Sequence, residues 1–318
     1  MANIPLPYPE HTRFSFGSHA TFPLRYGWLE KFAINRLTTT DKVSINIDAK
    51  NMIKEFGLGS NMADSLSFWL KQCRLVEMED SKAYFSDFAK KYFAPKDGID
   101  LYLENIETIW ILHWFLTTSA DKTSTWFWFF NFFEKKTFSR QDLVDDIFDQ
   151  CTKDGPHKNI SATENGVRRD VDCFIRSYLG TTNPKALSED KLDSPFTELG
   201  LFKKGTGDTI QKVETERKSL PYGLLILSIC GYWDKLGASS NTLSFENLLS
   251  QPYSPGKLFG INREGLLSKC NQIEEKTDGL LSFDQSSGLS QVIIHDADQF
   301  KNKCQENYLN VLENGCLE

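Results

Sequence analysis

Between Asn61 and Cys73 the apolar residues Met62, Leu66, Trp69 and Leu70 recur at i, i+4, i+7 and i+8. That spacing predicts a helix with one buried stripe. Residues 49–56 predict a shorter helix before it. Gly57-Leu-Gly59-Ser60 between them supplies a helix stop, a tight turn and, in Ser60, a good N-cap. Residues 75–78 and 83–85 then read as two short strands around Glu79-Asp-Ser-Lys82. Upstream, residues 27–37 predict a helix with Trp28, Phe32 and Leu37 on one face, preceded by a Pro- and aromatic-rich arm of poor periodicity. Helix, helix, glycine turn, helix, hairpin is the order of a winged helix.

Farther along, helices are expected at 104–118, 124–135, 139–152 and 162–179, with a polar loop at 154–159. Residues 180–220 are polar and broken by Pro184, Pro195, Gly205 and Gly207, as in a linker with a small subdomain. The last third repeats the first order: a long helix over 222–236, a short one over 244–250, a turn at 254–256, a helix over 262–276, strands at 280–284 and 289–294, and a closing helix over 297–312. The expected fold is mainly α, with an N-terminal winged-helix-like module (1–98), a central helical bundle (99–180), a linker or subdomain (181–220) and a C-terminal winged-helix-like module (221–318).

Composition narrows this picture. With 318 residues, 40% apolar and 25% charged, the chain is globular and long enough to build a core without staples. The aromatics crowded between Tyr102 and Phe138 read as packed helical core rather than a base-stacking surface. Seven cysteines without a CxxC pair argue against a zinc site or a disulfide framework, and read as reduced thiols of a cytoplasmic protein. The N-terminus lacks the pattern of a signal peptide, and no apolar run approaches the ~20 residues of a spanning helix, so no membrane role is expected. The net charge of −7 is uneven. The first 96 residues hold 13 Lys and Arg against 10 Asp and Glu, and the rest 23 against 33. Nucleic-acid contact therefore belongs to the first third. There the exposed face of the second helix would offer Ser60, Asn61, Asp64, Ser65, Ser67, Lys71 and Arg74, and of these Ser60, Asn61, Lys71 and Arg74 are the expected DNA contacts. The C-terminal module, whose 262–276 helix is not basic, reads as a partner or homodimer surface.

Candidate chemistry is sparse. No Walker A, GxGxxG, HNH or PD-(D/E)xK pattern occurs. His19 could act as a base and Arg25 could clamp a phosphate, or both could structure the arm. Arg168-Arg169-Asp170-Val-Asp172 sets two cations and two carboxylates on one helix. Arg168 and Asp172, four apart, could pair along the surface. Alternatively Asp170 or Asp172 could hold Mg2+ or Mn2+ with a distant carboxylate such as Glu104. His113 reads as a satisfied core histidine, and Asn131 as a structural hydrogen-bonder.

Several ordered stretches resemble one bacterial family. They are Phe16-Gly-Ser-His19-Ala-Thr-Phe22-Pro-Leu-Arg25-Tyr-Gly-Trp28, Leu58-Gly-Ser-Asn61-Met62 with Phe68-Trp69, Tyr102-Leu-Glu104 with Trp110-Ile-Leu-His113-Trp114, Thr125-Trp126-Phe-Trp128-Phe-Phe-Asn131, and Val167-Arg168-Arg169-Asp170-Val-Asp172. Over about residues 11–310 the chain resembles the SspB-like family, domain of unknown function 4007, whose genes accompany DNA phosphorothioation and phage-defence genes. The resemblance implies a DNA-acting protein that opens the backbone with a nick. It also implies as partners a cysteine desulfurase and an ATP-pyrophosphatase-like or ATPase protein. The chain departs from the family at Ser60 and Ala63-Asp64, where more basic residues are expected. The alternative is a non-catalytic adaptor that holds those partners through its winged helices.

Overall fold

The computed structural model describes residues 13–37, 44–154, 158–159, 161–180, 194–238, 240–306, 308–315 and 317. Residues 155–157 of the expected polar loop and 181–193 of the expected linker lie outside them. The protein is mainly helical with small antiparallel sheets. The described chain divides into two compact units, the larger from 13–129 and 133–211 and the smaller from 130–132 and 212–317.

The larger unit begins with α1 (Trp28–Arg36), α2 (Ala49–Phe56) and α3 (Ser60–Gln72). Gly57 ends α2 at φ +66°, a left-handed conformation that suits glycine. Gly59, not Ser60, occupies the N-cap of α3, so Ser60 becomes the first helical residue and its side chain caps nothing. The expected stripe is buried at Leu66, Trp69 and Leu70. The hairpin follows as β1 (Val76–Glu79) and β2 (Lys82–Phe85), paired antiparallel from Val76↔Phe85 to Glu79↔Lys82. Ile45 bridges to Ala83 on the other edge of β2. A helix the pattern did not reveal, α4 (Asp87–Phe93), is capped by the Ser86 side chain.

Next come α5 (Ile106–Thr118), α6 (Ser124–Asn131), β3 (Thr137–Phe138), α7 (Arg140–Thr152) and α8 (Glu164–Leu179). From Thr108 to Thr118 every residue of α5 is buried, because its sequence is apolar all round. The crowded aromatics are core: Trp126 meets Phe174 at 5.3 Å, Phe129 meets Phe174 at 4.9 Å, and Trp69 meets Trp126 at 5.8 Å between centroids. Each large aromatic buries ~150–250 Å², or about 4–6 kcal/mol at ~25 cal/mol per Å². That far exceeds a surface ion pair of about 0–1 kcal/mol. The stretch expected to be a linker contributes β4 (Phe202–Lys204) and β5 (Ile210–Lys212), and β5 lies between β3 and β4 in a three-stranded sheet.

The smaller unit holds α9 (Tyr222–Lys235), β6 (Thr242–Ser244), α10 (Phe245–Ser250), α11 (Pro255–Phe259), α12 (Arg263–Cys270), α13 (Ile273–Lys276), β7 (Leu281–Asp284), β8 (Gln291–Ile294), α14 (Ala297–Glu306) and α15 (Tyr308–Asn314). Its sheet runs β6-β8-β7. The helix expected over 262–276 breaks at Asn271 and Gln272, and the closing helix divides into α14 and α15. Gly223 lets α9 touch the backbone of α15, since a Cβ there would lie 1.8 Å from the Val311 carbonyl oxygen. Asn131 is buried and accepts the Tyr253 N–H at 2.8 Å, the structural role expected of it. Arg217 is buried and donates to the Gly260 and Val213 carbonyls. Burial draws its pKa down to about 10 against the upward pull of Glu214, so it remains cationic at neutral pH.

Candidate functional site

The arm from Arg13 to Gly27 is built around one buried carboxylate. Asp170 on α8 is 1% exposed and accepts three hydrogen bonds: from the Gly17 N–H, His19 Nε2 and Thr125 Oγ1, each at 2.7 Å. The acceptor-only chemistry of a carboxylate matches this ring of donors. His19 is fully buried, edge-on to Phe68 and Trp126. Burial lowers the pKa of its ring, whereas Cys173 and the Asp170 carboxylate raise it, with a balance near 10. A second ring proton would have to sit on Nδ1, however, and Nδ1 accepts the Thr21 N–H at 3.0 Å. That bond uses the Nδ1 lone pair and opposes a second proton, so the ring's own proton lies on Nε2 and points at Asp170.

This hub fixes a strained turn. Ala20 and Thr21 have φ of +48° and +68°, which costs non-glycine residues about 1–3 kcal/mol each. The Asp170 bonds and an Arg176 bond to the Thr21 carbonyl offset that cost. The turn presents Gly17, Ala20 and Thr21 to a depression of about 490 Å³, also lined by Phe16, Asn61, Gly166 and Arg169.

The residues singled out in the sequence thus fall into three places. His19 and Asp170, 151 positions apart, share the buried hub. Arg25 stacks instead on Phe22 and Trp28, its guanidinium 5.5 and 5.7 Å from the ring centroids. Asp172 points to the surface and faces Arg140 at 3.5 Å, with 39% of its side chain exposed. Arg168 pairs with Glu164 at 2.8 Å rather than with Asp172, a choice open to it because Glu164 lies one turn the other way. Among the described residues, no group of three or more His, Cys, Asp or Glu side chains is arranged to hold a metal ion. Glu104 is exposed, its backbone N–H donating to Asp100. His113 is core, bonded through Nδ1 to the Tyr178 hydroxyl at 2.7 Å.

On α3 the exposed stripe is Ser60, Asn61, Asp64 and Lys71, with Ser67 half-buried. Ser65 leaves it, being fully buried and donating to the Phe22 carbonyl. Arg74 lies past the helix end at φ +55° and stacks on Phe115, 4.3 Å from the ring centroid. A second depression of about 550 Å³ joins Asp64, Ser67 and Lys71 to residues 44–49 and the hairpin. The first N–H groups of any α-helix lack an intrahelical partner, and at α3 no N-cap side chain accepts from them, an arrangement that favours anions. The sequence reading missed Arg169 as a neighbour of Asn61. The paired arginines of Arg168-Arg169 were the signal, but nothing local showed which way each would point. The six described cysteines are buried and free, and no described helix is long and apolar enough to cross a membrane.

These features belong to a recognisable class. A family model described as "Protein of unknown function (DUF4007)" matches residues 16–310, and the chain belongs to that family. Two solved structures share the fold, an SspB crystal structure and the magnesium ion-bound form of SspB. Each is 22% identical over 95% of this chain and 90% of the other, with a TM-score of 0.72. Comparison with curated proteins yields no match.

Proposed function

We propose that this protein is a DNA-binding component of a bacterial DNA phosphorothioation and phage-defence system. The observation that carries the reading is the exposed polar stripe of α3, with its uncapped N-terminus and Lys71, beside the β1–β2 hairpin. The order α2, α3, hairpin is that of a winged helix, in which the second helix enters the major groove. Ser60 and Asn61 meet phosphate at the helix start, Arg169 extends that contact, and Lys71 adds charge farther along. Arg74, just past the helix end and stacked on Phe115, is the fourth proposed DNA contact. The C-terminal module is read as a second winged helix, and the four segments 1–98, 99–180, 181–220 and 221–318 as its working divisions. His19 and Asp170 act in this reading by holding the arm that shapes the site.

Nicking with Mg2+ or Mn2+ is part of the proposal, supported by the magnesium-bound state of one structural relative. In this proposal the partly exposed Asp172, which faces Arg140, supplies a carboxylate and Arg25, stacked on Phe22 and Trp28, the phosphate clamp, and a metal would need further ligands, since the described residues form no metal-holding group. Incubating the protein with supercoiled plasmid and either metal tests it. Open-circle product that vanishes with EDTA supports intrinsic nicking, and none at any metal or salt concentration rejects it. DNA binding is tested apart from this by gel shift at low salt, where an absent complex rejects the reading.

The adaptor reading rests on a different observation: in the smaller unit Arg217, Lys269, Arg263 and Lys301 each have a partner within the unit, which suits a protein-binding surface. It expects copurification with a cysteine desulfurase or an ATPase-type partner and weak DNA binding by the protein alone.

A further inference from the structure

A depression on the larger unit lies on the other flank of α8 and is unassigned by the duplex reading. It encloses about 730 Å³, within the ~300–1,000 Å³ range of small-molecule sites. Four cations from three elements line it: Arg140 at the start of α7, Arg168 and Arg176 on α8, and Lys204 on β4. Asp208 is the one acidic residue in the lining. Ile175, Leu179 and Ile210 add apolar surface to the lining.

The cations differ in how they are held. Arg176 is half-buried, and its described hydrogen bonds go to two carbonyls, those of Asp172 and Thr21. Carbonyls orient a guanidinium without cancelling its charge. Arg140 keeps a loose 3.5 Å approach to Asp172. Arg168 and Arg176 are eight residues apart, about 12 Å along a helix at ~1.5 Å per residue. Arg168 is already paired with Glu164 at 2.8 Å, which leaves Arg140, Arg176 and Lys204 beside Ile175, Leu179 and Ile210, a lining that suits a phosphate ester with a flat, apolar organic part.

We infer that this cleft binds a nucleoside phosphate, either as a free nucleotide or as part of a single DNA strand. The inference does not rest on duplex recognition by α3, because the two surfaces use different residues.

The test uses the full chain and two fluorescent probes, a labelled 5′-mononucleotide and a labelled (dT)6 strand, read by anisotropy. Variants are Lys204→Glu and Arg140→Glu singly and together, which leave Arg176 and its contacts in place. Lys71→Glu serves as the control for the duplex surface. Binding of either probe should weaken about tenfold or more in the double variant and stay within twofold in Lys71→Glu. A mononucleotide that binds identifies a free-nucleotide site, and binding of (dT)6 alone identifies a strand site. Failure of both probes to bind the wild type at millimolar concentration overturns the inference. So does binding unchanged in a double variant that melts at the wild-type temperature. Duplex binding that is lost only in Lys71→Glu separates the fate of the α3 reading from that of the cleft.

Discussion

Ion pairs occur in both units, but the cations that stand at surface depressions differ from those bound within the fold. In the larger one Lys71, Arg169, Arg140 and Lys204 stand at surface depressions, and Arg176 is held by carbonyls with its charge intact. In the smaller one Arg217 is buried among carbonyls, Lys269 donates to the Leu220 carbonyl at 2.8 Å, Lys301 pairs with Asp234, and Arg263 pairs with Glu246. Both units contain helices followed by a hairpin, so order alone does not separate them. What separates these cations is local: Lys71, Arg169 and Lys204 line depressions, whereas Arg217 and Lys269 donate to backbone carbonyls. Charge counting along the chain sees only part of this, because it places Arg140, Arg168, Arg169, Arg176 and Lys204 in the acidic remainder.

The comparison is broken most directly at the groups that hold each unit together. Asp170→Ala should cost about 3–5 kcal/mol, since it strands buried donors on Gly17, His19 and Thr125. Chemical denaturation would show this, and a loss below about 1 kcal/mol would mean that the hub is not structural. In the smaller unit Gly223→Ala places a methyl group 1.8 Å from the Val311 carbonyl oxygen and should cost about 1–3 kcal/mol. Thermal melting followed by hydrogen exchange should locate that loss in residues 212–317. Spread evenly through the chain, it would contradict the division into units.

Much of the secondary structure was legible because it is local. The spacing gave α2 at its observed bounds, and α3, α5, α7, α8 and α9 to within two residues at each end. The β3-β5-β4 sheet was not legible, because its strands are two or three residues long and draw on positions some 70 apart. The site was half legible. The sequence singles out both His19 and Asp170 but sets His19 with Arg25, and Asp170 or Asp172 with the distant Glu104, whereas the fold joins His19 and Asp170 to each other across the chain. Periodicity reports which face of a helix is buried. It does not report which distant donor fills a buried carboxylate.

A smaller effect sharpens the account of α7. Its start is held by a capping box between Ser139 and Asp142. Ser139→Ala should cost about 1 kcal/mol by calorimetry. The Lys135 hydrogen bond and the Ser139 donors hold Asp142 down to about 2, below the usual carboxylate range. Its contribution is therefore complete above the unfolded value of ~3.9 and is lost as pH falls toward 2. A stability difference between wild type and Asp142→Asn that persists at pH 2 would contradict that origin.

The central claim is that the larger unit contacts duplex DNA through α3 while the cations of the smaller unit stay engaged within it. Anisotropy of a labelled duplex across a salt series, with Lys71→Glu against Arg263→Glu, tests this most directly. The account predicts binding that falls steeply with salt, weakens several-fold in Lys71→Glu with a salt slope reduced by about 1, and is unchanged in Arg263→Glu. Absence of binding at low salt, or equal losses in the two variants, would contradict it.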